Sequence, residues 1–396
     1  MKGHVRERTM KRSHGEGSIQ RRGENSWRLR YYVGDVRHAL TFRGTKGEAT
    51  AKLRSLLSDA DKGAHIASDK RTLAQWADEW IALKAAERQH KTVARYEDLL
   101  KKHVLQKLGG RPIQQIKPIE IQLLYAELDL APRTRHHVAT VLKACLQAAV
   151  DIGKLLQVNP ASAIKKPSAG DSDVGQALEQ EKITSLVDGF RGSTLFDFTF
   201  LMAFTGMRRG EALALRWSNF IPAAKTLRIE RALEYTKKHG LRFKEPKSER
   251  GKRTIKLDDT LVALLLRMRE PYLRLVAGAP EGTDVDLSLV RIPDDWLIFP
   301  APGGQPTEPR HPDSVTKQFT HRAEKILGFS IRLHDLRVSH GTWLLDQGTP
   351  VHTVAKRLGH DPSVLLKVYA KRTQKGDESA AEKIGLLTKG LSIGPV

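Results

Sequence analysis

Five residues in the C-terminal half have types and spacings suited to chemistry on a phosphodiester. Arg208 follows Thr205-Gly206-Met207, and His334 and Arg337 stand three apart in Leu333-His334-Asp335-Leu336-Arg337. His360 closes Leu358-Gly359-His360, and Tyr369 comes nine residues after it. Breaking a phosphodiester without a metal or cofactor takes an oxygen nucleophile, cations for the charge of the transition state, and an acid for the departing 5′ oxygen. This stretch offers all three kinds of group. Free tyrosine titrates near ~10, so guanidiniums and a base close by are the physical means of making its oxygen reactive at neutral pH.

The elements that must carry these residues are helices. Leu201 to Leu213 is an apolar helical run stopped by Gly206, with a fresh helix starting near Arg208. A helix N-terminus sets the guanidinium beside free backbone N–H groups, a favourable place for phosphate oxygens. Taken alone, Thr-Gly-x-Arg also fits a plain surface arginine. Glu211, one turn on, is placed to orient Arg208 through a buried ion pair rather than to touch a substrate. His334 and Arg337 share a helix face and form a second phosphate clamp. A helix ending at Gly359 sets His360 where it and Tyr369 can converge.

Together these motifs resemble the tyrosine recombinase, or phage integrase, family. By that resemblance Tyr369 is the nucleophile and makes a 3′-phosphotyrosyl link with a free 5′ hydroxyl, while Arg208 and Arg337 hold the equatorial oxygens. His334 assists deprotonation of the tyrosine or holds a phosphate oxygen, and His360 donates a hydrogen bond to the phosphate. The family also uses a lysine on a hairpin, to which Leu241 to Ile255 is similar. Lys247 is the choice there for the acid, with Lys244 and Lys252 as neighbouring candidates. The resemblance implies no metal and no cofactor.

The composition agrees with such a partner. Lys and Arg number 67 against 45 Asp and Glu, a formal charge of +22. No apolar run approaches the ~20 residues of a membrane span, and the N-terminus has no signal-peptide core. The charge leaves DNA or RNA in the cytoplasm as the expected partner, and the resemblance implies DNA, with the protein in the nucleoid when bound. The single Cys145 sits in an apolar helical stretch, reads as core packing and permits no disulfide framework.

The expected fold is multidomain α+β. Residues 1–65 form a small three-stranded sheet plus a helix, 70–166 a helical domain, and 175–396 a mixed, mainly α catalytic domain with a small sheet and a C-terminal tail. In the first, Trp27, Leu29 and Tyr31 alternate with Arg28, Arg30 and Tyr32, Gly34-Asp35 makes a hairpin turn, and Thr45 with Glu48 caps a helix to about Leu57. Up to His65 there are fifteen Lys and Arg against seven Asp and Glu, which points to nucleic-acid binding by the sheet. Three to five helices fit Thr72 to Ile164, with Trp76 and Trp80 in the core and breaks at Gly109 to Pro112, Asp129 to Pro132 and Gly153. Lys165 to Ser172 reads as a linker, Thr226 to Leu257 as strand-like, and Ala277 to Asp295 as a loop insertion.

The sheet resembles the arm-binding domain of integrases that hold two classes of DNA site, and the helical region their core-binding domain. Arg28, Arg30, Arg37, Arg95, Arg133 and Arg135 are the candidate DNA contacts outside the catalytic site. The resemblance implies double-stranded attachment-site DNA as partner, a homotetramer on it, and DNA-bending and directionality factors. Glu378 to Leu387, with Ile384 and Leu387, reads as a tail helix that docks on a neighbouring subunit or on its own domain. The alternatives are a chromosome-dimer (Xer-type) resolvase or a transposon recombinase of the same family, an inactive DNA-binding regulator, and a relaxing topoisomerase.

Overall fold

Alternation of apolar and basic residues builds the first element. In the computed structural model, which describes residues 17–33, 35–61, 66, 68–170, 175–246, 251–369 (backbone alone at 364 and 367–369), 384 and 389, β1 (Ser18–Gly23), β2 (Ser26–Val33) and β3 (Val36–Arg43) form an antiparallel sheet in that order. Leu29 and Tyr31 are buried against Ala49 and Leu53 of α1 (Lys46–Asp61). Thr45 and Glu48 cap that helix reciprocally: the Glu48 carboxylate accepts from Thr45 N–H at 2.8 Å, and Thr45 Oγ1 accepts from Glu48 N–H at 3.3 Å. The helix runs to Asp61, past Leu57, because Ser58-Asp59-Ala60-Asp61 holds no breaker. Across the other face Arg28 pairs with Thr41, Arg30 with Ala39 and Tyr32 with Arg37, so Arg28, Arg30 and Arg37 share one side of the sheet.

Five helices follow among the described residues: α2 (Leu73–Glu87), α3 (His90–His103), the single turn α4 (Leu105–Leu108), α5 (Pro118–Glu127) and α6 (Pro132–Asp151). Trp76, Trp80, Leu99, Leu142 and Leu146 form their core with Cys145, which is fully buried and whose thiol burial pushes up to about 12. The Trp76 indole N–H donates to the Cys145 carbonyl at 2.9 Å. On α3 Lys101 meets Glu97 at 2.7 Å, Lys102 meets Asp98 at 2.8 Å, and Arg95, a candidate DNA contact, meets Asp98 at 3.5 Å. Arg133 stays exposed in the first turn of α6, while Arg135 is half-buried.

Chain contacts divide the protein into two units, Met1–Ser172 and Asp173–Val396. The second holds α7 (Gln180–Gly189), α8 (Phe196–Thr205), α9 (Arg209–Ala212), β4 (Phe220–Ile221), β5 (Thr226–Ile229), β6 (Ala232–Thr236), β7 (Gly240–Lys244) and β8 (Arg253–Lys256). After these come α10 (Asp259–Ala277), α11 (Pro312–Leu327), α12 (Leu333–Asp346), α13 (Val351–Leu358) and α14 (Pro362–Tyr369). The strand-like stretch resolves into a sheet ordered β4-β5-β8 and a separate β6-β7 hairpin. The main core gathers Phe190, Phe198, Leu201 and Phe319, and a smaller cluster of Val354, Ala355, Leu358 and Leu365 joins α13 to α14. Beyond Gly278, which caps α10 with a φ of 62°, the chain runs to Asp295 without helix or strand. No helix among the described residues is long and apolar enough to cross a membrane.

Candidate active site

Three consecutive carbonyls at the end of α13 organise the site. The last turn of a helix leaves its C=O groups without intrahelical partners, and its dipole favours cations there. Arg253 Nε donates to the Arg357 carbonyl at 2.7 Å, Arg337 Nη2 to that of Leu358, and Arg208 Nη2 to that of Gly359 at 3.2 Å. Three guanidiniums from β8, α12 and the start of α9 thus converge on one helix terminus.

Gly206 and Gly359 make that convergence possible. Gly206 ends α8 at a φ of 65° and Gly359 ends α13 at 64°, the left-handed region that glycine enters without cost to a side chain. A Cβ on Gly206 would lie 2.6 Å from Leu358 Cδ2 and 2.7 Å from His340 Cδ2. The turn therefore packs directly on α12 and α13, and it sets Arg208 at the N-cap of α9.

The two sequence-motif arginines occupy different environments. The Arg208 side chain is 40% exposed, and its Nη1 donates to Glu211 Oε1 at 2.7 Å. Arg337 is 1% exposed, with Nη1 donating to the Gly206 carbonyl at 2.7 Å and Nε without a partner among the described residues. Burial, and then the charge of Arg208, bring the Arg337 guanidinium down to about 9. Glu211 is sealed below them. Burial pushes its carboxyl up, yet hydrogen bonds and charge from Arg253, with those of Arg208, outweigh that and hold it at about 2.

Arg253 is the residue that sequence reasoning passed over. Its side chain is 5% exposed and grips both carboxylate oxygens of Glu211, at 3.1 and 2.8 Å. A signal existed: strand alternation sets Arg253 on the side of the apolar Ile255, and an inward arginine needs a carboxylate. Arg357 adds a further tie, donating from Nε to His340 Nε2 at 3.2 Å and from Nη1 to the Lys256 carbonyl at 3.1 Å.

Both motif histidines sit in this cationic field. His334, exposed at the first turn of α12, is held below the ordinary imidazole range by desolvation and then by Arg337. His360 falls to about 3 through desolvation and then the charges of Arg337 and Arg208, and its Nδ1 is buried without a partner among the described residues. Both rings are neutral at pH 7, so each offers one N–H donor and one lone pair. His360 also borders a basic cavity of about 780 Å3 that Lys252, Lys256 and Lys356 share.

Tyr369 is the last residue of α14, whose helix packs on α13 through Leu365 and Leu358. Lys247 lies outside the described residues, as do Glu378 to Leu387 except Ile384. Of the neighbouring lysines, Lys244 is paired with Glu234 across the β6-β7 hairpin, and Lys252 meets Glu245 at 3.0 Å.

The chain resembles known proteins over nearly its whole length. It is 27% identical over 363 residues to a protein of Caldanaerobacter subterraneus subsp. tengcongensis named tyrosine recombinase XerC-like, covering 86% of this chain and 89% of that protein. The fold matches the Tn1549 transposon integrase solved in complex with a circular intermediate DNA, at a TM-score of 0.63 and 17% identity over 79% of this chain and 99% of that one. It also matches a lambda integrase tetramer bound to a Holliday junction, at a TM-score of 0.52 and 17% identity over 90% and 96% of the two chains. Residues 72–128 match the N-terminal SAM-like domain of phage integrases. Residues 178–375, half of the chain, match the phage integrase family itself, and the protein therefore belongs to that family of tyrosine recombinases.

Proposed function

We propose that this recombinase integrates and excises a mobile element or phage genome through a phosphotyrosyl bond formed by Tyr369. The observation that carries the proposal is the convergence of Arg208, Arg337, His334 and His360 around the end of α13, the helix on which the Tyr369-bearing α14 packs. Tyr369 Oη attacks phosphorus in line, its P–O bond forms as the P–O5′ bond breaks, and the 3′ phosphate stays on the enzyme. Arg208 and Arg337 stabilise the equatorial oxygens. Neutral His334 takes the phenolic proton or holds an oxygen, neutral His360 donates to the phosphate, and Lys247 gives the 5′ oxygen its proton.

The phosphotyrosine conserves the energy of the broken bond, so a 5′ hydroxyl from a partner duplex reverses the step and reseals DNA without ATP. Exchange between two duplexes takes four cleaving subunits, which supports a homotetramer on attachment-site DNA in the cytoplasm, with bending and directionality factors as accessory partners. Residues 1–65 serve as an arm-type DNA-binding domain, 70–166 as a core-binding domain and 175–396 as the catalytic domain. The basic sheet ahead of the helical region favours an integrase over a resolvase. The test is a nicked duplex carrying the protein's site, run on a denaturing gel after incubation. Wild type is expected to leave a covalent adduct and Tyr369→Phe none; an adduct that persists in the variant would sink the assignment.

A further inference from the structure

A second cationic cavity, of about 580 Å3, lies in the Asp173–Val396 unit among β4, β5, the later turns of α10 and the loop beyond it. It shares no lining residue with the cavity beside His360. Five arginines line it, Arg216, Arg228, Arg231, Arg269 and Arg291, against the two carboxylates of Glu230 and Asp294. Some guanidiniums elsewhere in the unit meet carboxylates closely, as Arg253 does with Glu211 and Arg274 with Glu270. Here Glu230 stands 3.8 Å from Arg228 and already accepts from Asn219 at 3.0 Å. Among the described residues Arg231, Arg269 and Arg291 have no ion pair.

Among the described residues the lining side-chain atoms buried without a protein partner are all donors: Arg216 Nε, Arg269 Nε and the Trp217 indole N–H. Arg216 lies over the Phe243 ring at 5.7 Å, which covers the face of its guanidinium and leaves the in-plane N–H groups for an acceptor. Burial, and then the charge of Arg291, hold the Arg269 guanidinium below the usual arginine range. Five guanidiniums against two carboxylates leave the wall with a surplus of positive charge. An anion with several acceptor oxygens offsets it, and the planar fork of arginine suits phosphate.

We propose that this cavity is a second phosphate-binding site, built from Arg216, Arg269 and Arg291 and separate from the cluster at the end of α13. Its ligand is a phosphate group, carried either by a DNA strand or by a free phosphorylated molecule. Calorimetric titration of the full chain with pyrophosphate tests it. Binding is expected to persist in Arg208→Ala and to weaken about tenfold or more in Arg269→Gln and in Arg291→Gln, each removing one charged fork. Arg291 is exposed, so its replacement leaves the core intact. Pyrophosphate binding that is absent from wild type, or equal in wild type and both variants, would overturn the proposal. The salt dependence of duplex binding then separates the two sources. A log–log slope shallower by about 0.9 in Arg291→Gln assigns the site to a DNA phosphate, and an unchanged slope beside abolished pyrophosphate binding assigns it to a free phosphate.

Discussion

Arg253 and Glu211 form a two-point ion pair inside the catalytic unit, with Nη2 to Oε2 at 2.8 Å and Nη1 to Oε1 at 3.1 Å. Arg253 has Nε engaged by the Arg357 carbonyl and both Nη atoms by the Glu211 carboxylate, so its effect on cleavage passes through Glu211 to Arg208. Lysine in its place has one ammonium and no fork, and cannot span Glu211 and the Arg357 carbonyl together. Arg253→Lys is expected to slow single-turnover cleavage by about 10–100-fold while leaving affinity for the core site nearly unchanged. A parallel fall in affinity would show that Arg253 acts on DNA binding rather than on the aim of Arg208.

Arg208 and Arg337 are expected to separate in their effects on stability. Arg337→Ala strands the buried Gly206 and Leu358 carbonyls, at about 1–3 kcal/mol for each unsatisfied group. Arg208→Ala leaves Glu211 still paired with Arg253 and is expected to change stability by no more than about 1 kcal/mol. Urea denaturation of the two variants measures this, and equal losses would contradict the environments assigned to them.

Gly206 tests the packing of the turn. Alanine there takes on a left-handed φ, which costs about 1–2 kcal/mol, and drives its Cβ into Leu358 and His340. Gly206→Ala is expected to lower the thermal midpoint and to slow cleavage, because the same turn sets Arg208 and supplies the carbonyl that Arg337 grips. A variant as active and as stable as wild type would rule that coupling out.

Buried His340 makes the fold acid-sensitive. Its pKa falls to about 3, first through burial and then through Arg357, whose Nε donates to the lone pair on His340 Nε2. The folded pKa lies below the unfolded one, so the unfolded state binds more protons between about pH 6.5 and 3, and stability falls as pH falls through that window. Glu211, held near 2, adds its loss only below the unfolded carboxylate range of about 4.3. Between pH 6.5 and 5 the histidine alone is expected to remove about 1–2 kcal/mol. Urea midpoints of wild type and His340→Gln at the two pH values check this, the variant losing less.

The sheet is expected to act at a distance from cleavage. Replacing Arg28, Arg30 and Arg37 together with alanine removes cations from one face without touching Leu29 or Tyr31. The log–log salt slope for arm-site DNA is expected to drop by about 0.9 for each phosphate that is no longer neutralised, with cleavage of a core site unchanged. Loss of core cleavage alone would contradict the division of labour proposed for residues 1–65.

Much of this protein was legible in the chain because its signals are local. Alternation over Trp27 to Tyr32, the Thr45–Glu48 cap and the glycine stops at Gly206 and Gly359 act across a few residues, where hydrogen bonding and side-chain period leave one favourable answer. The Arg208–Glu211 pair lies within one helical turn and was equally readable.

What only the tertiary structure decided is which groups meet across long stretches of chain. Arg208 reaches Gly359 over 151 residues, Arg337 reaches Gly206 over 131, and Arg253 reaches Arg357 over 104. No periodicity reports such meetings, because they exist only once α8, α12 and α13 have packed. The burial of Arg337 beside an exposed Arg208 and the inward pairing of Arg253 follow from that packing. The motif names the chemistry through its residue types, and the packed helix ends place each charge in the dielectric that makes it usable.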